Sequence, residues 1–132
     1  MTGGASAVAT GVAGIDEEFV FNRMRVAGAT WYGPGLYGNN TACGQTLRPN
    51  TIGVAHRSLP CGTPVKFVHQ GHAVVTTVID RGPYVAGIKW DLTNGARLAL
   101  GFEGSGPIRY AIARQTGAAS ESRRRRSGRA AG

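Results

Sequence analysis

Acidic residues are scarce in this chain, with 7 Asp and Glu against 15 Lys and Arg in 132 residues. Between Gly28 and Arg114 there are only three: Asp80, Asp91 and Glu103. Cysteine is limited to Cys43 and Cys61. With no second cysteine pair, and with His56, His69 and His72 scattered away from spaced carboxylates, the sequence offers no metal site, and no cofactor is expected. His69 and His72 flank a turn and read as surface residues. Long apolar runs are also missing, so no transmembrane segment is expected. Residues 1–14 lack the basic start and sustained apolar block of a secretory signal.

What the chain does have is 21 Gly, 6 Pro and short β-branched runs, a composition of strands and turns. The length fits one domain with a modest core. Residues 1–26 read as a flexible N-terminal arm, 27–115 as the folded domain, and 116–132 as a disordered basic tail. Half of the formal charge of +8 comes from that tail, where Arg123 to Arg126 and Arg129 meet only Glu121. Such a run buries nothing and stays solvated; its sharper reading is contact with an anionic polymer, nucleic acid or teichoic acid.

Strands are expected over Ala29–Tyr32, Thr51–His56, Pro64–Gln70, His72–Ile79 and Ile108–Ile112, with a further extended segment at Trp90-Asp91-Leu92. Gln70-Gly71 reads as a hairpin turn and Gly33-Pro34-Gly35 as a strand-ending turn. One helix is expected over Thr93–Leu100, with Thr93 or Asn94 as N-cap and Gly101 as C-cap. Short strands in this number, with one or two short helices, point to an all-β fold, a small closed barrel.

Asp80 closes the run Val74-Val75-Thr76-Thr77-Val78-Ile79, and Asp91 sits within Trp90-Asp91-Leu92. In an extended segment Trp90 and Leu92 face one way and Asp91 the other. Two rare acids at strand ends invite an acid/base reading, in which Asp80 supplies a like charge that keeps Asp91 protonated. Arg81 would oppose this if it paired with Asp91. The plainer alternative has Asp80 bonding turn amides and Asp91 serving a helix start. The cysteines are either two free thiols or one disulfide; a bridge would add about 3 kcal/mol and imply an oxidising compartment.

The segments Ala29-Thr30-Trp31-Tyr32-Gly33, Thr41-Ala42-Cys43-Gly44, Ala55-His56-Arg57-Ser58-Leu59-Pro60-Cys61-Gly62-Thr63, Asp80-Arg81-Gly82-Pro83-Tyr84 and Asp91-Leu92-Thr93 occur in an order that resembles rare lipoprotein A-like proteins. The resemblance covers about residues 28–114. It implies a six-stranded double-psi β-barrel, the fold of expansins, barwins and family-45 endoglucanases, and a Cys43–Cys61 disulfide.

By the same resemblance the partner is peptidoglycan glycan or a related polysaccharide. The activity implied is that of a lytic transglycosylase, with an expansin-like, non-catalytic wall-binding module as the alternative. Asp91, Asp80 and His56 take the catalytic positions; Tyr32, Gln45, Tyr84 and Arg81 are candidates for holding substrate, and Trp90 is left to the core. The first strand has no acid, which argues against two-carboxylate hydrolysis. Many relatives read Ser-Gly-Glu where this chain reads Cys43-Gly44-Gln45, and an amide cannot transfer a proton. The resemblance places the chain outside the cytoplasm, and a monomer is expected.

Overall fold

The structure is a computed structural model and describes residues 19–114. Six strands form: β1 (Arg25–Tyr32), β2 (Val54–Ala55), β3 (Pro64–His69), β4 (His72–Asp80), β5 (Ile88–Thr93) and β6 (Gly106–Ile112). Among the described residues one helix, α1 (Asn94–Leu100), joins β5 to β6. The strands close into a barrel in the order β1-β5-β2-β4-β3-β6. β1 with β5 and β2 with β4 are parallel, and the other pairings are antiparallel. This is the closed six-stranded barrel expected from the sequence. No helix among the described residues is long and apolar enough to cross a membrane.

Alternation sets the inward face. Val65 and Phe67 on β3, Trp90 and Leu92 on β5, and Ile108 and Tyr110 on β6 are buried, while Arg109 between the last two is exposed. Trp90 fills the centre, edge-on to Phe67 at 5.3 Å and to Tyr110 at 5.0 Å. Between β3 and β4 the loop is Gln70-Gly71, both at positive φ, as the two-residue I′ hairpin requires.

Helix α1 starts where Thr93 Oγ1 accepts from the Ala96 amide at 3.2 Å, and it stops at Gly101 in the left-handed conformation. The same Thr93 hydroxyl accepts from the Gly53 amide at 3.0 Å and donates to the Gly53 carbonyl at 3.1 Å. That side chain takes the place of a ladder partner. The strand expected over Thr51–His56 is therefore reduced to Val54–Ala55.

At the other end, β1 starts at Arg25, inside the segment read as an arm. The Asn22 amide donates to the Ile112 carbonyl at 2.9 Å and the Arg114 amide to the Val20 carbonyl at 2.9 Å, so residues from Val20 onward are joined to the barrel. The remainder of the expected arm, and the Arg-rich tail, lie outside the described residues.

Candidate functional site

The ladder brings four residues into one row. Thr30 on β1 pairs with Asp91 on β5, Asp91 pairs with Ala55 on β2, and Ala55 pairs with Asp80 on β4. Directly paired residues share a face, and this face is the outer one, because Trp90 and Leu92 on either side of Asp91 are buried. Asp80 reaches it through a register irregularity: Val54 pairs with Val78 but Ala55 with Asp80, leaving Ile79 as an extra residue. Such a bulge re-aims the side chain that follows it.

Asp91 is half-buried, and its Oδ1 accepts from Thr30 Oγ1 at 2.8 Å. No other hydrogen bond reaches this carboxyl among the described residues. Trp90 Nε1 is the only buried side-chain polar atom without a partner among them, so Asp91 Oδ2 retains contact with solvent. Burial pushes the Asp91 pKa above the ordinary carboxylate range; the Thr30 hydrogen bond pulls the other way, and the charge of Asp80 adds to the rise.

Asp80 is held differently. Its Oδ1 accepts from the amides of Ala42 and Arg81, both at 2.9 Å, and its Oδ2 accepts from the Tyr32 hydroxyl at 3.1 Å. The Tyr32 phenol is pushed far above its usual range, first by burial, then by the charge of Asp80 and the hydrogen bond to it, and last by Asp91. It remains a donor at any physiological pH. Asp80, Asp91 and Tyr32 are thus brought together, with Thr30, which sequence reasoning missed. Its signal was there: Thr30 and Tyr32 alternate with Ala29 and Trp31 and share the outer face.

The Ala42 amide belongs to a loop in which Thr41 Oγ1 donates to Gln45 Oε1 at 3.0 Å and accepts from the Gln45 amide at 3.2 Å. Gln45 is exposed, and its side-chain N–H groups have no partner among the described residues. The Cys43–Cys61 disulfide ties this loop to the one following β2.

His56 is not joined to either carboxylate by any contact among the described residues. Its ring lies 4.8 Å from that of Trp90, on the core side. Its Nδ1 accepts from the Ser58 and Leu59 amides, each at 3.1 Å, which leaves the proton on Nε2. Burial, then the charges of Lys89, Arg57 and Arg81, lower its pKa to about 4. At neutral pH it is an uncharged donor.

Arg81 turns away from Asp91. Its Nη1 donates to the carbonyls of His56 at 3.2 Å and Leu59 at 2.7 Å, and its Nη2 approaches Cys61 Sγ at 3.8 Å. Arg57, also missed, donates from Nη1 to the carbonyls of Pro83 at 3.0 Å and Ile88 at 3.1 Å. Each arginine pins the loop that carries the other. Tyr84 projects from the Arg57-pinned loop and is 76% exposed. No cluster of His, Cys, Asp and Glu able to hold a metal ion forms among the described residues.

Comparison with known proteins gives a consistent picture. The profile of a family described as lytic transglycolase matches residues 25–112. A Synechocystis protein named as a probable endolytic peptidoglycan transglycosylase RlpA is 41% identical over 93 residues, which is 69% of this chain and 29% of that protein. The endolytic peptidoglycan transglycosylase RlpA of Campylobacter jejuni is 36% identical over 88 residues, 64% of this chain and 32% of its own. Among solved structures, the apo expansin of Clavibacter michiganensis matches with a TM-score of 0.56 at 27% identity, over 72% of this chain and 52% of the expansin. The chain spans less than a third of the length of either RlpA relative.

Proposed function

This chain belongs to the lytic transglycolase family, and on that premise we propose that it cleaves peptidoglycan glycan strands with Asp91 as general acid and base. The observation that carries the reading is a half-buried carboxyl on the outer face, its pKa raised by burial and by Asp80, with one oxygen fixed by Thr30 and the other reaching solvent.

The protonated Asp91 Oδ2 gives its proton to the glycosidic oxygen as the bond to the anomeric carbon breaks. The sugar's own 6-hydroxyl attacks that carbon and closes an anhydro ring. The resulting carboxylate takes the hydroxyl proton, so Asp91 ends as it began, and no water is consumed. This chemistry needs only one acid. Asp80, held by three donors, supplies a fixed negative charge facing the cationic transition state.

Tyr32 and Arg81 act by position: Tyr32 orients Asp80, and Arg81 braces the loop bearing the amides that hold His56 Nδ1. His56 keeps an Nε2–H available as a neutral donor. Gln45 offers its free amide N–H groups to sugar hydroxyls, and Tyr84 offers a face for a sugar ring. The protein works outside the cytoplasm as a monomer, where the disulfide is stable.

Incubation with stem-free glycan strands tests this reading. Anhydro-ended products are expected from the native chain, with a loss of about a hundredfold or more for Asp91→Asn. Wall binding without product from the native chain would select the non-catalytic, expansin-like alternative, which the exposed amide of Gln45 in place of an acid favours.

A further inference from the structure

A lysine beside the acidic row is re-aimed by the strand that carries it. On β5, Ile88 pairs with Gly28 of β1 and Trp90 with Ala29, so Lys89 is an extra residue without a partner. In a regular strand Lys89 would share the outer face with Asp91, two residues on. The bulge turns it instead. Its Nζ lies 5.8 Å from the centre of the Trp90 ring and 6.0 Å from that of Tyr110, both of them buried on the core side. The ammonium thus overhangs the end of the barrel at which β5 begins, away from α1.

His56 occupies the same end, its ring 4.8 Å from that of Trp90. After burial, the charge of Lys89 is the strongest influence lowering the His56 pKa, ahead of the adjacent Arg57 and of Arg81, so ammonium and imidazole are neighbours. Lys89 makes no ion pair or hydrogen bond among the described residues. Two loop amides occupy His56 Nδ1, and its Nε2–H has no partner among them. Trp90 Nε1 is the one buried polar side-chain atom left unpartnered there, so the His56 Nε2–H reaches solvent.

What these two groups offer narrows the ligand. Both donate and neither accepts, and one carries a full positive charge. A carboxylate satisfies both with its two oxygens. A secondary amide does not, because it is uncharged and turns an N–H toward donors. Along a peptidoglycan strand the lactyl group of muramic acid presents one or the other: an amide while the stem peptide is attached, a carboxylate once it is gone. Lys89 stands two residues, about 7 Å of strand, before Asp91. His56 directly follows Ala55, the ladder partner of Asp91. A sugar held at Asp91 is therefore adjacent to this end of the barrel.

We propose that Lys89 and the His56 Nε2–H bind the free lactyl carboxylate of muramic acid, which makes Lys89 a specificity-determining residue that selects stem-free strands. The proposal rests on the peptidoglycan reading, and its test is binding, which needs no cleavage. The full chain is titrated calorimetrically with soluble stem-free strands, and with the same strands after carbodiimide coupling of their carboxyls to methylamine. Product release is measured in parallel.

The native chain should bind the carboxylate strands about tenfold more tightly than the amidated ones. Lys89→Met keeps an unbranched stem over the rings without the charge, and should bind both strands at the level of the native chain on amidated ones. Lys89→Arg should keep the preference, as should Arg109→Gln, which removes a charge from the outer face of β6. Nuclear magnetic resonance gives a reading without substitution: N-acetylmuramic acid should shift the His56 ring signals, and its methylamide at equal concentration should not. Equal binding of the native chain to both strands would overturn the proposal, as would an equal loss on both for Lys89→Met. Absence of product from the native chain, with the carboxylate preference intact, would sink the cleavage reading alone.

Discussion

A carboxyl group that protonates a leaving oxygen must hold its proton at working pH, and activity falls as pH rises through its pKa. Three influences act on Asp91: burial, which raises its pKa, the Thr30 hydrogen bond, which lowers it, and the Asp80 charge, which raises it. Two substitutions separate them. Thr30→Val removes the one lowering influence, so the alkaline limb of the kcat/KM profile should move to higher pH. Asp80→Asn removes a raising influence, and the same limb should move to lower pH. A merely structural role for either residue would change the height of the profile and leave its position alone. Asp91→Asn should abolish turnover while melting at the native temperature or above it at neutral pH, since the variant no longer buries part of a charge.

His56 makes a separate prediction at the same scale. Its pKa is lowered to about 4 in the folded chain, whereas an unfolded histidine titrates near 6.5. The unfolded chain therefore binds the extra proton between those values. The stability tied to neutral His56 is complete above pH ~6.5 and is lost as pH falls toward 4. In His56→Asn a side-chain oxygen can accept the Ser58 and Leu59 amides without titrating. Thermal melts of that variant should show a shallower loss of stability across this window than the native chain.

Among the elements, α1 gives the sharpest contrast between propensity and packing. Ala is better than Gly by about 1 kcal/mol inside a helix, yet a Cβ on Gly95 would lie 2.5 Å from the Thr51 carbonyl oxygen and 2.8 Å from that of Asn50. These are backbone atoms, and the segment cannot drift away easily because Asn94 Nδ2 donates to the Pro49 carbonyl at 3.0 Å. Gly95→Ala should therefore destabilise by about 1–3 kcal/mol in urea unfolding. The extent of α1 and its cap were readable from Thr93 and Gly101, as was the alternation in β3, β5 and β6. The contraction of the second strand was not, because it depends on the Thr93 hydroxyl bonding Gly53, 40 positions away. The same distinction holds at the site. That Asp91 faces outward follows from Trp90 and Leu92 on either side of it. That His56 faces the core does not, since a bulge and two loop amides decide it.

At the scale of the whole molecule, the disulfide connects the supports of the site. Cys43 sits beside the Ala42 amide that holds Asp80 Oδ1, and its own amide donates to the Ile79 carbonyl at 3.0 Å. Cys61 follows the amides that hold His56 Nδ1, and Gly62 donates to the Val78 carbonyl at 2.8 Å. Both loops are thus laid against the end of β4, and the bridge spans them at a sequence separation of 18. The residues by themselves left the thiols open between free and paired, because pairing requires two loops to meet on a third strand; the family resemblance implied the bridge, and the structure has it. Replacing both cysteines by serine should cost about 3 kcal/mol of stability. It should also lower kcat more than it raises KM, because the group that loosens is the amide on Asp80, while Tyr84 and Gln45 keep their exposure. Dithiothreitol treatment of the native chain should reproduce that kinetic split and leave the double variant unchanged. Equal loss in both parameters, or no loss once the protein is kept well below its melting temperature, would reduce the bridge to a staple for folding.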